Sequence, residues 1–208
     1  MKLDRPTKEL VERYGKQFDK NNSVEEEAIK ELGKIFPDNS DYKGVLLKSI
    51  VINTLYATQI GAIVKVARHI FSLDIDAGLK RGDPQVVDKI ARVIIKEKER
   101  RNYAFATKYC SFHNPSEYPI YDSFVDRLLK AYQKQDRFSP LSLGDLKDYG
   151  RFKEVLKAFV GFYEMGTINA KELDSFLWGY GKEIFPGRMT ESQSVTPLSP
   201  ASRAMTSR

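Results

Sequence analysis

VLLKSIVINTLYATQIGAIVKVARHIFSL, residues 45–73, decides the fold. Its apolar positions recur at helical spacing, and the run is too long to lie only on a surface. It predicts the central helix of a core, with Gly61 as the place for a break. Lys48, Asn53, Thr54, Gln59 and Lys65 interrupt it, so it is not a membrane span. On the N-terminal side, apolar residues 10, 11, 14 and 18 predict a helix over Pro6–Lys20. Ser23 followed by Glu26 reads as a capping box opening a second helix that ends near Phe36-Pro37. On the C-terminal side, Gly82-Asp83-Pro84 restarts a helix running to about Lys98, apolar at 86, 87, 90, 91, 94 and 95. Further helices are predicted over Tyr103–His113 with Asn102 as cap, Tyr121–Tyr132, Ser142–Leu146, Phe152–Tyr163 and Ala170–Ile184. No stretch alternates with period two for long enough to read as a strand. The fold class is all-α: a compact multi-helix array with N-terminal helices (1–40) packed on a helical core (41–185). The tail 186–208 has three Pro and eight Ser/Thr and no apolar periodicity, the composition of a disordered segment.

The chain has 208 residues, 34 Lys+Arg against 28 Asp+Glu, two His and one Cys. A lone Cys closes no intramolecular disulfide and builds no Cys/His zinc site, so no metal and no cofactor is expected. The charged N-terminus lacks an apolar signal region, which predicts an intracellular, cytoplasmic protein. The net charge of +6 is not spread evenly. Lys80–Arg101 contributes a net of +4 and the tail +2, leaving the rest neutral. A basic segment in an otherwise neutral chain points to a polyanion; the competing reading is a solvated helix face.

Three segments carry candidate chemistry. In the first, an apolar helix ends in a small polar run holding Asn53, Thr54, Tyr56 and Gln59, which either bonds a nearby loop or faces a groove. The second, Asn102–Pro115, places Lys108 in the middle of an apolar and aromatic helix. There its amine either snorkels to solvent or lies in a pocket, where desolvation makes it a nucleophile. Cys110 and His113 share a face of that helix, and a buried thiol beside a loop-bonding His is the simpler reading of the pair. In the third, Tyr118-Pro119-Ile120-Tyr121 delivers Asp122 to a helix start, as a plain N-cap or as a functional carboxylate.

These segments, in this order, resemble the helix-hairpin-helix DNA glycosylase superfamily, which includes endonuclease III and the 8-oxoguanine DNA glycosylases. Leu55-Tyr56-Ala57-Thr58-Gln59 is similar to the family's Leu-Ser-Ala-Gln-like motif, with Gln59 on the Gln that lies at the DNA surface. Pro119-Ile120-Tyr121-Asp122-Ser123-Phe124-Val125 is similar to its Pro-Val-Asp-Thr-His-Val segment, with Asp122 on the catalytic Asp. The resemblance covers roughly Val45 to Tyr132 and implies a two-lobed helical fold. The chain departs from the family in its hairpin: the Gly-x-Gly turn is replaced by Lys98-Glu-Arg-Arg-Asn-Tyr. Phosphate contact then falls to the side chains of Lys96, Lys98, Arg100 and Arg101. Lys108 stands 14 residues before Asp122, closer than the family's lyase Lys, and the four-Cys iron–sulfur cluster is ruled out.

The resemblance implies a monomeric enzyme that binds duplex DNA, flips one nucleotide and cleaves its N-glycosidic bond, with AP-lyase activity if Lys108 forms a Schiff base. It implies Asp122 and Lys108 as catalytic residues, and Gln59 and Tyr56 at the DNA. Tyr121, His113 and Trp178 would form the base pocket. The alternatives are a non-catalytic nucleic-acid-binding relative on the same scaffold and a helical protein-interaction module.

Overall fold

The computed structural model describes residues 2–144 and 146–186. Nine α-helices and one two-stranded hairpin make up the regular structure of these residues, an all-α fold. The tail segment expected to be disordered lies, from 187 onward, outside the described residues. None of the described helices is long and apolar enough to cross a membrane.

Helix α1 (Lys8–Ile35) takes its N-cap from Thr7 and bends at Asn22, whose backbone leaves helical geometry while its side chain donates to the Phe18 carbonyl. The two predicted N-terminal helices both form and run together across this kink. Its first half packs on the C-terminal helix α9 (Ala170–Ile184). Tyr14 meets Phe176 and Tyr180 at ring separations of 5.8 and 5.7 Å, and its hydroxyl donates to Glu183 at 2.6 Å. Ahead of α1, the Asp4 carbonyl accepts from Tyr132, strapping the N-terminus to α7 (Ser123–Asp136).

The long predicted helix over 45–73 is two helices, α2 (Tyr42–Leu55) and α3 (Ile63–Phe71). The break, residues 56–62, contains Gly61 as expected, and Asn53 organises it. Its Oδ1 accepts from Thr58 Oγ1 (2.6 Å) and Ile60 N–H (2.9 Å), and Ala57 and Gln59 take left-handed backbone conformations. A short helix, α4 (Asp76–Arg81), unread in the sequence, ends on left-handed Gly82.

Helix α5 (Gln85–Ala91) stops seven residues before its predicted end. Arg92–Ile95 (β1) and Lys98–Arg101 (β2) form an antiparallel hairpin, with Arg92 opposite Arg101 and Ile95 opposite Lys98. Its turn, Lys96-Glu97, has φ of 52° and 61°, the twist a two-residue hairpin needs, reached here without glycine. Apolar 90, 91, 94 and 95 mimic helical spacing, but Ile94 is 65% exposed while Val93 is buried. Four residues of alternation are too few to betray a strand in the sequence, and the β-branched Val-Ile-Ile run favours one.

Helix α6 (Tyr103–His113) is sunk in the core and packs on α5 and α2. Asn102 occupies its N-cap position but makes no capping bond. Of residues 142–146, predicted helical, the described ones lie outside any helix; the Ser142 hydroxyl accepts from Gly144 N–H. Helix α8 (Tyr149–Phe162) precedes α9, which reaches the start of α7 at Gly181. A Cβ there would stand 3.0 Å from the Phe124 carbonyl oxygen, so glycine sets how closely the two helices approach beside Asp122.

Candidate functional site

An open cleft of about 1710 Å³ runs between α1, the end of α2, α6, the start of α7 and α9. Its walls hold Tyr56, Lys108, Tyr121, Asp122, His113 and Trp178, six of the residues singled out in the sequence. Gln59 is not among them: it is exposed on the α2–α3 loop, outside the cleft lining.

Lys108 lies on a helix with buried residues on every side, so its chain has no route to bulk solvent other than the cleft. Its Nζ sits 5.3 Å from the centre of the Tyr56 ring. Burial pushes the amine below the usual lysine range, and the charge of Asp122 partly restores it. The preceding residue explains how Lys108 and Asp122 meet. Thr107 Oγ1 accepts from Tyr121 N–H at 3.2 Å and lies 3.3 Å from the Tyr121 carbonyl, pinning the chain before Asp122 against α6. Tyr149 donates to the Pro119 carbonyl at 2.8 Å and steadies the same segment. The 14-residue separation is therefore closed by a hydrogen-bonded return of the chain.

Asp122 is an N-cap: its Oδ1 accepts from Phe124 N–H (2.8 Å) and Val125 N–H (3.0 Å). Both capping bonds fall on one oxygen, so the cap role and a role in the cleft are compatible. Tyr121 is mainly structural, its ring packed edge-on against Tyr103 and Phe152 and its hydroxyl donating to Asp126.

Sequence reading missed Asp174. It stands on a stripe of α9 with Lys171, Trp178 and Lys182, all lining the cleft. The signal was present: positions 171, 174, 178 and 182 fall on one side of a helix whose 173, 176, 177 and 180 are buried. Asp174 Oδ2 accepts from Ile120 N–H at 3.0 Å, while Oδ1 is buried without a partner. Burial, and then the charge of Asp122, push this carboxyl well above the carboxylate range.

His113 serves the fold. Its Nε2 lies 3.3 Å from Lys48 Nζ. Lys48 is fully buried and also donates to the carbonyls of Phe36 and Asp38 and to Asn39 Oδ1. Burial, helped by the Lys48 charge, lowers His113 to about 4. Cys110 is buried and its thiol pushed well up, so the two do not pair as nucleophile and base. A folded imidazole that refuses a proton until about pH 4, against 6.5 when unfolded, binds fewer protons than the unfolded chain in between. Stability is then full above pH 6.5 and falls as the pH drops toward 4, by about 2–3 kcal/mol from this group. Urea unfolding at pH 7 and pH 4.5 measures the fall, and His113→Gln should make it shallower.

The predicted DNA contacts divide. Lys96, Lys98 and Arg100 are exposed on the hairpin. Arg101 lines the cleft, pairs with Asp88 at 2.8 Å, donates to the Lys147 carbonyl and lies over the Tyr103 ring. Lys30, Lys34, Lys147, Lys171 and Lys182 add further positive charge along the cleft. Among the described residues no group of His, Cys, Asp or Glu is placed to hold a metal ion.

The family model HI_0787_N, described as an N-terminal domain, matches residues 8–117, from α1 through α6 and Lys108. A protein of Haemophilus influenzae, described as uncharacterized, is 47% identical over 150 residues, 72% of each chain. No solved structure matches. With more than half of its length under the family model, the chain belongs to the HI_0787_N family.

Proposed function

We propose that this protein is a DNA glycosylase with AP-lyase activity, acting on duplex DNA. One observation carries the reading: a desolvated amine, Lys108, and a carboxylate, Asp122, share an open aromatic cleft. A lowered amine pKa leaves the lone pair available for attack, and the cleft has room for an extruded nucleoside. Asp122 stabilises positive charge developing at the sugar as the C1′–N bond breaks. That electron pair leaves with the base, which takes up a proton. Lys108 bonds C1′; ring opening places the amine proton on O4′ and leaves a C1′=N iminium. Loss of a C2′ proton then expels the 3′ phosphate and nicks the strand.

The test is strand nicking and base release on duplexes carrying uracil, 8-oxoguanine or alkylated bases, with and without alkali. Release of one of them is the expected result. A protein that binds DNA in a salt-sensitive way but releases no base and nicks no abasic site is a nucleic-acid-binding relative only. The exposed hairpin would meet the phosphates. Replacing Lys96, Lys98 and Arg100 by Gln should weaken duplex binding and make the slope of log K against log salt shallower by about 2–3 units. Fluorescence anisotropy across a salt series checks this, and an unchanged slope means the hairpin charge is a solvated surface.

A further inference from the structure

The segment that delivers Asp122 has no secondary structure of its own. Residues 118–122 form neither helix nor strand, and side chains from three helices hold them instead. Thr107 of α6 accepts from Tyr121 N–H, Tyr149 of α8 donates to the Pro119 carbonyl, and Asp174 of α9 accepts from Ile120 N–H at 3.0 Å. Of the three, only Asp174 lines the cleft. Its Oδ1 has no partner, so the bond to Ile120 is its one hydrogen bond among the described residues. The charge of Asp122 acts on the Lys108 amine, so a side chain that moves Asp122 reaches Lys108 through it.

We propose that Asp174 is a positioning residue: by holding the Ile120 N–H it sets where the Asp122 carboxylate stands relative to the Lys108 amine. This rests on the glycosylase and lyase reading of the cleft and adds a third residue to the pair that carries it. Ile120 lies two residues before Asp122, and the next fixed point of the chain is the Asp122 cap on Phe124 and Val125 N–H. Both capping bonds use Oδ1. A small rotation of the segment about them swings Oδ2, the oxygen left for the cleft, without undoing the cap. Asp174 ties the segment to α9, the helix that also meets the start of α7 at Gly181, and so fixes that rotation. The tie matters because a displacement of about 1 Å between reacting groups costs on the order of 10²-fold in rate.

Substitutions at 174 separate position from charge. Asp174→Asn keeps an oxygen for the Ile120 N–H and removes the ionisable group; Asp174→Ala removes both. Asp174→Glu keeps the carboxyl but displaces it by one methylene. It should behave like Ala and not like Asn, and it carries the test if Asp174→Ala does not fold. The Lys108 amine is followed by NMR in protein made with lysine labelled at Cε, its resonance assigned by its loss in Lys108→Arg. Asp122→Asn, which deletes the neighbouring charge, should lower the Lys108 titration midpoint by on the order of one pH unit. Asp174→Ala should lower it in the same sense, and Asp174→Asn should leave it at the wild-type value. A midpoint unmoved in Asp174→Ala makes Asp174 idle, and one moved equally by Ala and Asn makes its effect one of charge; either overturns the proposal. The functional arm is borohydride trapping on a saturating duplex with a preformed abasic site. Asp174→Ala should slow adduct formation by about 10–10²-fold, with duplex affinity by anisotropy unchanged, and Asp174→Asn should trap like wild type. Wild-type trapping by Asp174→Ala also overturns the proposal. A wild type that traps nothing sinks the lyase chemistry, while the NMR arm, which uses no DNA, still decides whether Asp174 places Asp122 against Lys108.

Discussion

Lys108→Ala should leave no covalent adduct when the protein and an abasic duplex are treated with borohydride, where the wild type forms one. The adduct requires an amine that is unprotonated at working pH and within reach of C1′. Lys48, the other buried lysine among the described residues, is committed to oxygen acceptors of the 36–39 loop. Asp122→Asn supplies the paired result. Asn caps helices as well as Asp does, so α7 should keep its start and the fold its stability. The negative charge facing the developing sugar cation is lost, and base release should fall by about 10²–10⁴-fold, with duplex binding nearly unchanged. Single-turnover base release and anisotropy on the same preparation separate the two effects. An adduct that survives Lys108→Ala moves the nucleophile elsewhere, and unchanged release in Asp122→Asn reduces Asp122 to a cap.

The largest effect on stability is expected at Lys48. Its ammonium joins the 36–39 loop to α2 and α6, and Tyr109 donates to the same Asn39 Oδ1 at 2.6 Å. Burial pulls the lysine down to about 8, and Asp76, Asp38 and Asp41 oppose that fall, so it remains mostly charged at pH 7. Lys48→Ala removes the donor and leaves two carbonyls, an amide oxygen and the His113 ring nitrogen without it. Deleting one partner of a buried polar cluster typically costs about 3–5 kcal/mol, against a total stability of about 5–15. Urea denaturation of Lys48→Ala measures this. Lys48→Met, which keeps the stem volume, should recover little, because the missing hydrogen bonds and not the cavity dominate. Full recovery by Met would assign the role of Lys48 to packing.

Apolar and aromatic runs reported the long helices well, whether one face was buried, as in α9, or nearly the whole helix, as in α6. The bounds of α6 and α9 follow from residues 103–113 and 170–184 alone. Apolar spacing failed where a short-range contact overrode the pattern: a four-residue strand pair replaced the end of α5. Candidate chemistry was legible wherever a residue type was odd for its setting, as with a lysine in the apolar run of α6 or an aspartate after Pro119.

Those oddities, together with the composition, are what the sequence by itself determined: an all-α chain, one Cys, a basic segment at 80–101, and Lys108 and Asp122 as residues needing an explanation. Which of them share a cleft was decided only by tertiary structure. The Thr107–Tyr121 bonds bring Lys108 and Asp122 together, the loop turn leaves Gln59 outside, and Lys48 binds His113 into the scaffold. Asp174 became visible for the same reason. An unsatisfied buried polar atom is a property of its surroundings, and those surroundings exist only in the folded chain.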